Sequence, residues 1–136
     1  MPRLLLILSV IFPLTAFAEL EIREAWIKNL PPSTPVRAGY MNIHNPDQVA
    51  VSVVAFRSEA FASVEIHKTS EQDGMMRMDP VPSLKIEAGS SVQLAPGGLH
   101  LMMMNPQQPT QPGDIIEIFI LLDDGSEQAL DMPVKK

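Results

Sequence analysis

The sequence predicts an all-β fold, a Greek-key β-sandwich or small barrel of about eight short strands, on three observations. No stretch repeats its apolar residues at helical spacing over the roughly ten positions that a buried helix face requires. Short β-branched and apolar runs recur instead. Between them stand turn signals: Asn45-Pro46-Asp47, Asp73-Gly74, Pro96-Gly97-Gly98 and Asp123-Asp124-Gly125. Each has a backbone reason, since proline fixes φ, glycine accepts positive φ, and Asn or Asp side chains bond their own backbone.

Residues 1–18 read as a secretory signal peptide, with Arg3, the apolar run Leu4 to Phe12 and the small-residue pattern Ala16-Phe17-Ala18. That run is too short for a permanent span, and nothing later approaches the roughly 20 apolar residues a membrane helix needs. The expected mature chain is residues 19–136, one β domain that does not cross a membrane. Glu21 to Ile27 is the first strand, stopped by Pro31-Pro32, and Val36 to His44 is the second. Val49 to Phe56, β-branched and apolar, is expected to be a third strand buried on both faces.

Ser63 to Thr69 alternates, with Val64 and Ile66 on one face and Ser63, Glu65, His67 and Thr69 on the polar one. Asp73-Gly74 then turns the chain into Met75 to Met78. With a four-residue loop, His67 stands directly opposite Met78. With a two-residue turn at Asp73-Gly74, the register moves by an even step and the two are diagonal neighbours on one face, whereas a three-residue loop would separate them. Leu84 to Glu87 and Ser91 to Leu94 are short strands, and Pro96-Gly97-Gly98 delivers Leu99 to Met104. There His100, Met102 and Met104 point one way, Leu99, Leu101 and Met103 the other. Asp114 to Leu122 is the strongest strand, and Glu127 to Val134 is expected to close the fold as an edge strand with Pro133 at its end.

Composition narrows function. Without Arg3, nine Lys and Arg stand against sixteen Asp and Glu, a net charge near −7, which repels phosphate backbones and argues against nucleic acid as a partner. The chain has no cysteine, so no disulfide staples it and no thiolate is available for a blue-copper site. Sulfur is kept only as thioether. Four residues then stand out as one metal site: His67, Met78, His100 and Met102. Two imidazoles and two thioethers are soft, neutral donors that suit Cu(I) rather than Mg or Ca.

The spacing His67, ten residues, Met78, twenty-one residues, His100, one residue, Met102 resembles the H-x10-M-x21-H-x-M pattern of the periplasmic PCuAC copper chaperones. Trp26, Ala38-Gly39-Tyr40-Met41 and Gly97-Gly98-Leu99-His100 extend the likeness along the mature chain. The resemblance implies a cupredoxin-like β-sandwich that binds one Cu(I) through these four residues. It also implies delivery of the copper to a partner, a cytochrome oxidase subunit with its CuA centre or another copper carrier. The chain departs from the pattern at Lys68, where the family often has a second Met, and it has no Met- and His-rich tail. A monomer is expected.

Taken singly, each residue has an ordinary explanation: a strand His is usually hydrogen-bonded at a surface, and Met is adaptable core filler. His44, with no Met at short spacing on its own face, is read that way. Met75, Met76 and Met104 stay open, as reserve ligands or a hydrophobic rim. The competing function is an exported interaction or adhesion module whose methionines only pack. An enzyme is not expected: a copper oxygenase with a histidine brace needs His at the mature N-terminus, where Glu19 stands, and no Ser, His and acid constellation or phosphate-binding glycine loop is visible.

Overall fold

A computed structural model describes residues 19–136; the expected signal peptide lies outside the described residues. Ten strands form: β1 (Glu21–Lys28), β2 (Val36–His44), β3 (Val51–Arg57), β4 (Phe61–Gln72), β5 (Met75–Pro80), β6 (Leu84–Ile86), β7 (Ser91–Leu94), β8 (Leu99–Pro106), β9 (Ile115–Leu122) and β10 (Glu127–Lys135). No helix interrupts them among the described residues. The two short runs β6 and β7 pair with different neighbours, β3 and β2 respectively.

Seven strands close on themselves in the order β4-β8-β2-β1-β10-β9-β3, and β3 returns to β4 through the pair Phe56↔Val64. The result is a closed barrel, with β5 hung on β4. Closure removes the exposed edges that an open sheet leaves. It also explains two departures from the sequence-based expectation. The strand β10 is not an edge, because it pairs antiparallel with β9 and parallel with β1 through Ile27↔Val134 and Lys28↔Lys135. Pro133 sits at the last pair of the β9 ladder, opposite Ile115, where its missing N–H costs least. Nor is β3 buried on both faces: Val53 and Phe56 point inward while Val54 is 43% exposed, since the outer face of an antiparallel barrel meets water.

The interior is filled by Ile27, Met41, Ile43, Leu101, Met103, Ile118, Ile120 and Met132, each essentially without solvent contact. Gly39 lets β2 pass close to this core. A Cβ there would run into the Met103 side chain and stand 3.2 Å from Leu101 Cβ. Arg37 is also fully buried. Its Nε donates to the Thr110 hydroxyl at 2.8 Å and its Nη1 to the Thr34 and Val36 carbonyls at 2.7 and 2.9 Å, which satisfies part of a guanidinium that would otherwise be costly to bury.

Candidate metal centre

Three neighbouring strands, β5, β4 and β8, carry the four residues that the sequence singles out. The alternation of β4 sends Val64 and Ile66 into the core and leaves Glu65, His67 and Thr69 on the outer face. That of β8 buries Leu101 and Met103 and turns His100 and Met102 outward. In the β4–β8 ladder His67 is the direct partner of His100, and Glu65 of Met102. The two imidazole rings face each other with centroids 6.2 Å apart and planes inclined by 37°.

The hairpin takes the two-residue turn. Asp73 and Gly74 have φ of 54° and 74°, the left-handed pair a tight hairpin of this kind requires, and Gln72 pairs with Met75. Met78 is consequently opposite Thr69, and His67 opposite Pro80. Met78 is therefore on the His67 face as a diagonal neighbour, one step along the ladder, and it is 55% exposed. Past Lys68↔Leu99 the β4–β5 hairpin leaves β8 and continues as a two-stranded ribbon. On an untwisted ladder the Cα atoms of Met78 and Met102 would stand roughly 16 Å apart, two strand spacings across and four residue rises along. His67, His100 and Met102 thus form a compact group, with Met78 on a projecting arm.

Although they belong to the outer face, both histidines are buried, His67 at 9% and His100 at 5% exposure. Each ring has one nitrogen engaged and one not. His67 Nε2 lies 2.8 Å from a Glu65 carboxylate oxygen, which can only accept, so Nε2 carries the hydrogen and Nδ1 keeps the lone pair. His100 Nδ1 lies 3.1 Å from the Gly98 carbonyl, so Nδ1 donates and Nε2 keeps the lone pair. These two atoms, His67 Nδ1 and His100 Nε2, are buried without a hydrogen-bond partner. The Gly98 oxygen also accepts from Thr69 N at 3.1 Å. One carbonyl therefore orients His100 and ties down the base of the hairpin arm, and it stands there because Gly97, at φ 83°, turns the chain tightly.

Among the described residues no three His, Asp or Glu side chains converge, and the side chain that strand alternation places beside His100 on the outer face is the thioether of Met102. Such a donor set favours a soft cation. Beside it on the outer face of β2, Ala38 pairs with Met102, and two residues on, Tyr40 packs on Trp26 with ring centroids 4.9 Å apart. Burial raises the Tyr40 pKa above its ordinary 10.0. His44 is elsewhere, paired with Glu21 and Ser91. Met76 is 66% exposed on the hairpin arm opposite Glu71, and Met75 is 69% exposed at its tip.

Comparison with known proteins decides the family. A family model described as "Putative lipoprotein LpqE-like" matches residues 20–134. The chain belongs to the LpqE-like family. Among curated relatives of this LpqE-like chain, "Putative lipoprotein Lxx21020" of Leifsonia xyli subsp. xyli is 31% identical over 116 residues, which span 85% of this chain and 69% of that protein. The "Uncharacterized protein RP573" of Rickettsia prowazekii is 24% identical over 125 residues, 89% of this chain and 69% of that one. Two solved structures share the architecture. The solution structure of CuI-DR1885 from Deinococcus radiodurans has a TM-score of 0.71 at 27% identity, covering 90% of this chain and 82% of that one. The copper-bound PCuAC domain from PmoF2 has a TM-score of 0.73 at 19% identity, covering 88% and 95%. The LpqE-like domain described here is accordingly a closed, cupredoxin-like β-barrel.

Two contributors to the site are not evident from the spacing of His and Met alone. One is Glu65, which alternation puts on the His67 face without saying that its carboxylate reaches the ring. The other is the Gly98 carbonyl, for which the Pro-Gly-Gly turn is the available signal.

Proposed function

We propose that this protein is a periplasmic Cu(I) chaperone that takes one ion at His67, His100, Met102 and Met78 and passes it to a copper-accepting protein. The observation that carries this reading is the pair of buried, unpartnered imidazole nitrogens, His67 Nδ1 and His100 Nε2, on facing residues of one ladder. An orphaned buried polar atom costs about 1–3 kcal/mol. Two of them side by side make sense if a cation accepts both lone pairs. Met102, next along β8 on the same face, offers sulfur, and the chain has no cysteine to compete with it. The likeness to CuI-DR1885 supports copper as the cargo.

The exposure of Met78 suits handover. A structural metal site is closed, whereas a carrier needs a ligand that a partner can replace. Met78, on an arm attached to the barrel through β4 alone, is the ligand a recipient would displace first, leaving the His pair and Met102 to release the ion afterwards. No electron or proton need move in such an exchange, because thioethers and neutral imidazoles bind without deprotonation. The resemblance to PCuAC chaperones implies the CuA centre of cytochrome c oxidase as recipient, and the lipoprotein designation of the Leifsonia relative supports export.

Anaerobic Cu(I) titration against a competing chelator tests the reading. Saturation at one Cu(I) per chain is expected. Failure to take any Cu(I) from the chelator would overturn it, and leave an interaction module with packing methionines as the better description.

A further inference from the structure

Resting on the copper reading above, we infer that Glu65 is the positioning residue of the site: its hydrogen bond to His67 decides which imidazole nitrogen faces the metal. The two histidines are held by different means. His100 is oriented by a backbone carbonyl, Gly98 O, at 3.1 Å, which no side-chain substitution removes. His67 is oriented by a side chain, with Glu65 Oε2 2.8 Å from Nε2. Both residues lie on the outer face of β4, two positions apart, so the carboxylate reaches along its own strand.

The consequence follows from the donor and acceptor inventory. A carboxylate accepts only, so the Nε2 hydrogen is held towards Glu65, and Nδ1 is left as the lone-pair atom beside His100. Without that acceptor nothing holds the hydrogen on Nε2, the Nδ1–H tautomer becomes more accessible, and in that form the ring points a hydrogen where the donor atom should be. It also loses the contact that fixes its rotation. The site is therefore built with unlike nitrogens, Nδ1 from His67 and Nε2 from His100, and only the first choice depends on a replaceable side chain. Outer-shell partners of metal-binding histidines act in this way, and removing one typically lowers affinity about 10–100-fold. The Glu65 side chain is 47% exposed, so substitution there leaves the core untouched.

The test compares Glu65→Leu and Glu65→Gln with the unsubstituted protein. Long-range 1H–15N correlation on the metal-free proteins reads the His67 tautomer, and anaerobic Cu(I) competition reads affinity. We expect the Nε2–H form of His67 in the unsubstituted protein and in Glu65→Gln, whose amide oxygen still accepts. In Glu65→Leu we expect a shift towards Nδ1–H together with an affinity loss of about 10–100-fold. An unchanged tautomer in Glu65→Leu would overturn the inference, and so would a changed tautomer with unchanged affinity. Failure of the unsubstituted protein to bind Cu(I) would instead overturn the proposed function, since the tautomer is read without metal.

Discussion

Two histidine environments on the outside of one barrel differ in a single respect. His44 Nδ1 is 2.8 Å from the Ser91 hydroxyl across the β2–β7 ladder, with its ring partly open to water. His67 and His100 face one another across the β4–β8 ladder, each with one nitrogen engaged and the other buried without a partner. Water can satisfy whatever His44 leaves unpaired; it does not reach the other two atoms. Two unsatisfied buried nitrogens cost roughly 2–6 kcal/mol together, a large share of a domain stability of about 5–15 kcal/mol. A strand histidine by itself says little about function, whereas a facing pair with both free nitrogens turned away from water is the feature on which the proposed copper site rests.

The largest effects should separate these environments. His67→Ala and His100→Ala should each lower Cu(I) affinity by at least about 100-fold, or roughly 2.7 kcal/mol, while His44→Ala leaves it nearly unchanged, as read by anaerobic competition with a chelator. Comparable losses at all three positions would erase the distinction. Next come the thioethers. Met102→Leu, beside the histidines on β8, should weaken Cu(I) binding more than Met78→Leu on the hairpin arm, and neither should cost more than about 1.5 kcal/mol of stability, because Leu nearly conserves the volume. A larger affinity loss at Met78 than at Met102 would mean that the arm, rather than the barrel wall, holds the ion.

The difference between the environments was only partly legible in the sequence. Period-two alternation put His100 with Met102 and His67 with Glu65, while the hairpin at Asp73-Gly74 left loop lengths open, two of which keep His67 and Met78 on one face and a third of which separates them. Which register forms depends on the φ of 54° at Asp73. That conformation is compatible with the residue and not dictated by it. Alternation also placed His67 on a polar face, and it is buried there nonetheless, because the opposing strand is β8 and its partner residue is another ring. Such pairing joins positions 33 residues apart, beyond the reach of any local pattern. Barrel closure was hidden for the same reason, since it depends on Phe56↔Val64 and on the parallel contact of β1 with β10. The full burial of Arg37 had no signal in a strand otherwise read from its apolar positions.

Two smaller effects probe the wall behind the site. Gly39→Ala should destabilise the fold by about 1–3 kcal/mol, measured by denaturant unfolding. The flexible end of Met103 can move aside, but Leu101 Cβ at 3.2 Å cannot, and Leu101 lies between His100 and Met102. No loss of stability would show that β2 and β8 pack more loosely than described. The smallest effect is expected at high pH. The Tyr40 pKa is raised by burial above 10.0, so the folded state favours the protonated phenol. Its contribution is fully present below pH 10.0 and is lost as pH rises through the raised value. Trp26, the only tryptophan and packed against Tyr40 with the rings tilted, reports unfolding there by fluorescence. A Tyr40→Phe variant should lose less stability over the same interval, and an identical profile would show that Tyr40 is not the group responsible.

The most direct test of the copper centre is X-ray absorption spectroscopy at the copper edge on the Cu(I)-loaded protein, prepared without oxygen. The account predicts a mixed shell of imidazole nitrogen and thioether sulfur, with the imidazole signal intact and the sulfur signal reduced in Met78→Leu. A shell without sulfur, or one in which the imidazole signal survives His67→Ala and His100→Ala together, would contradict it.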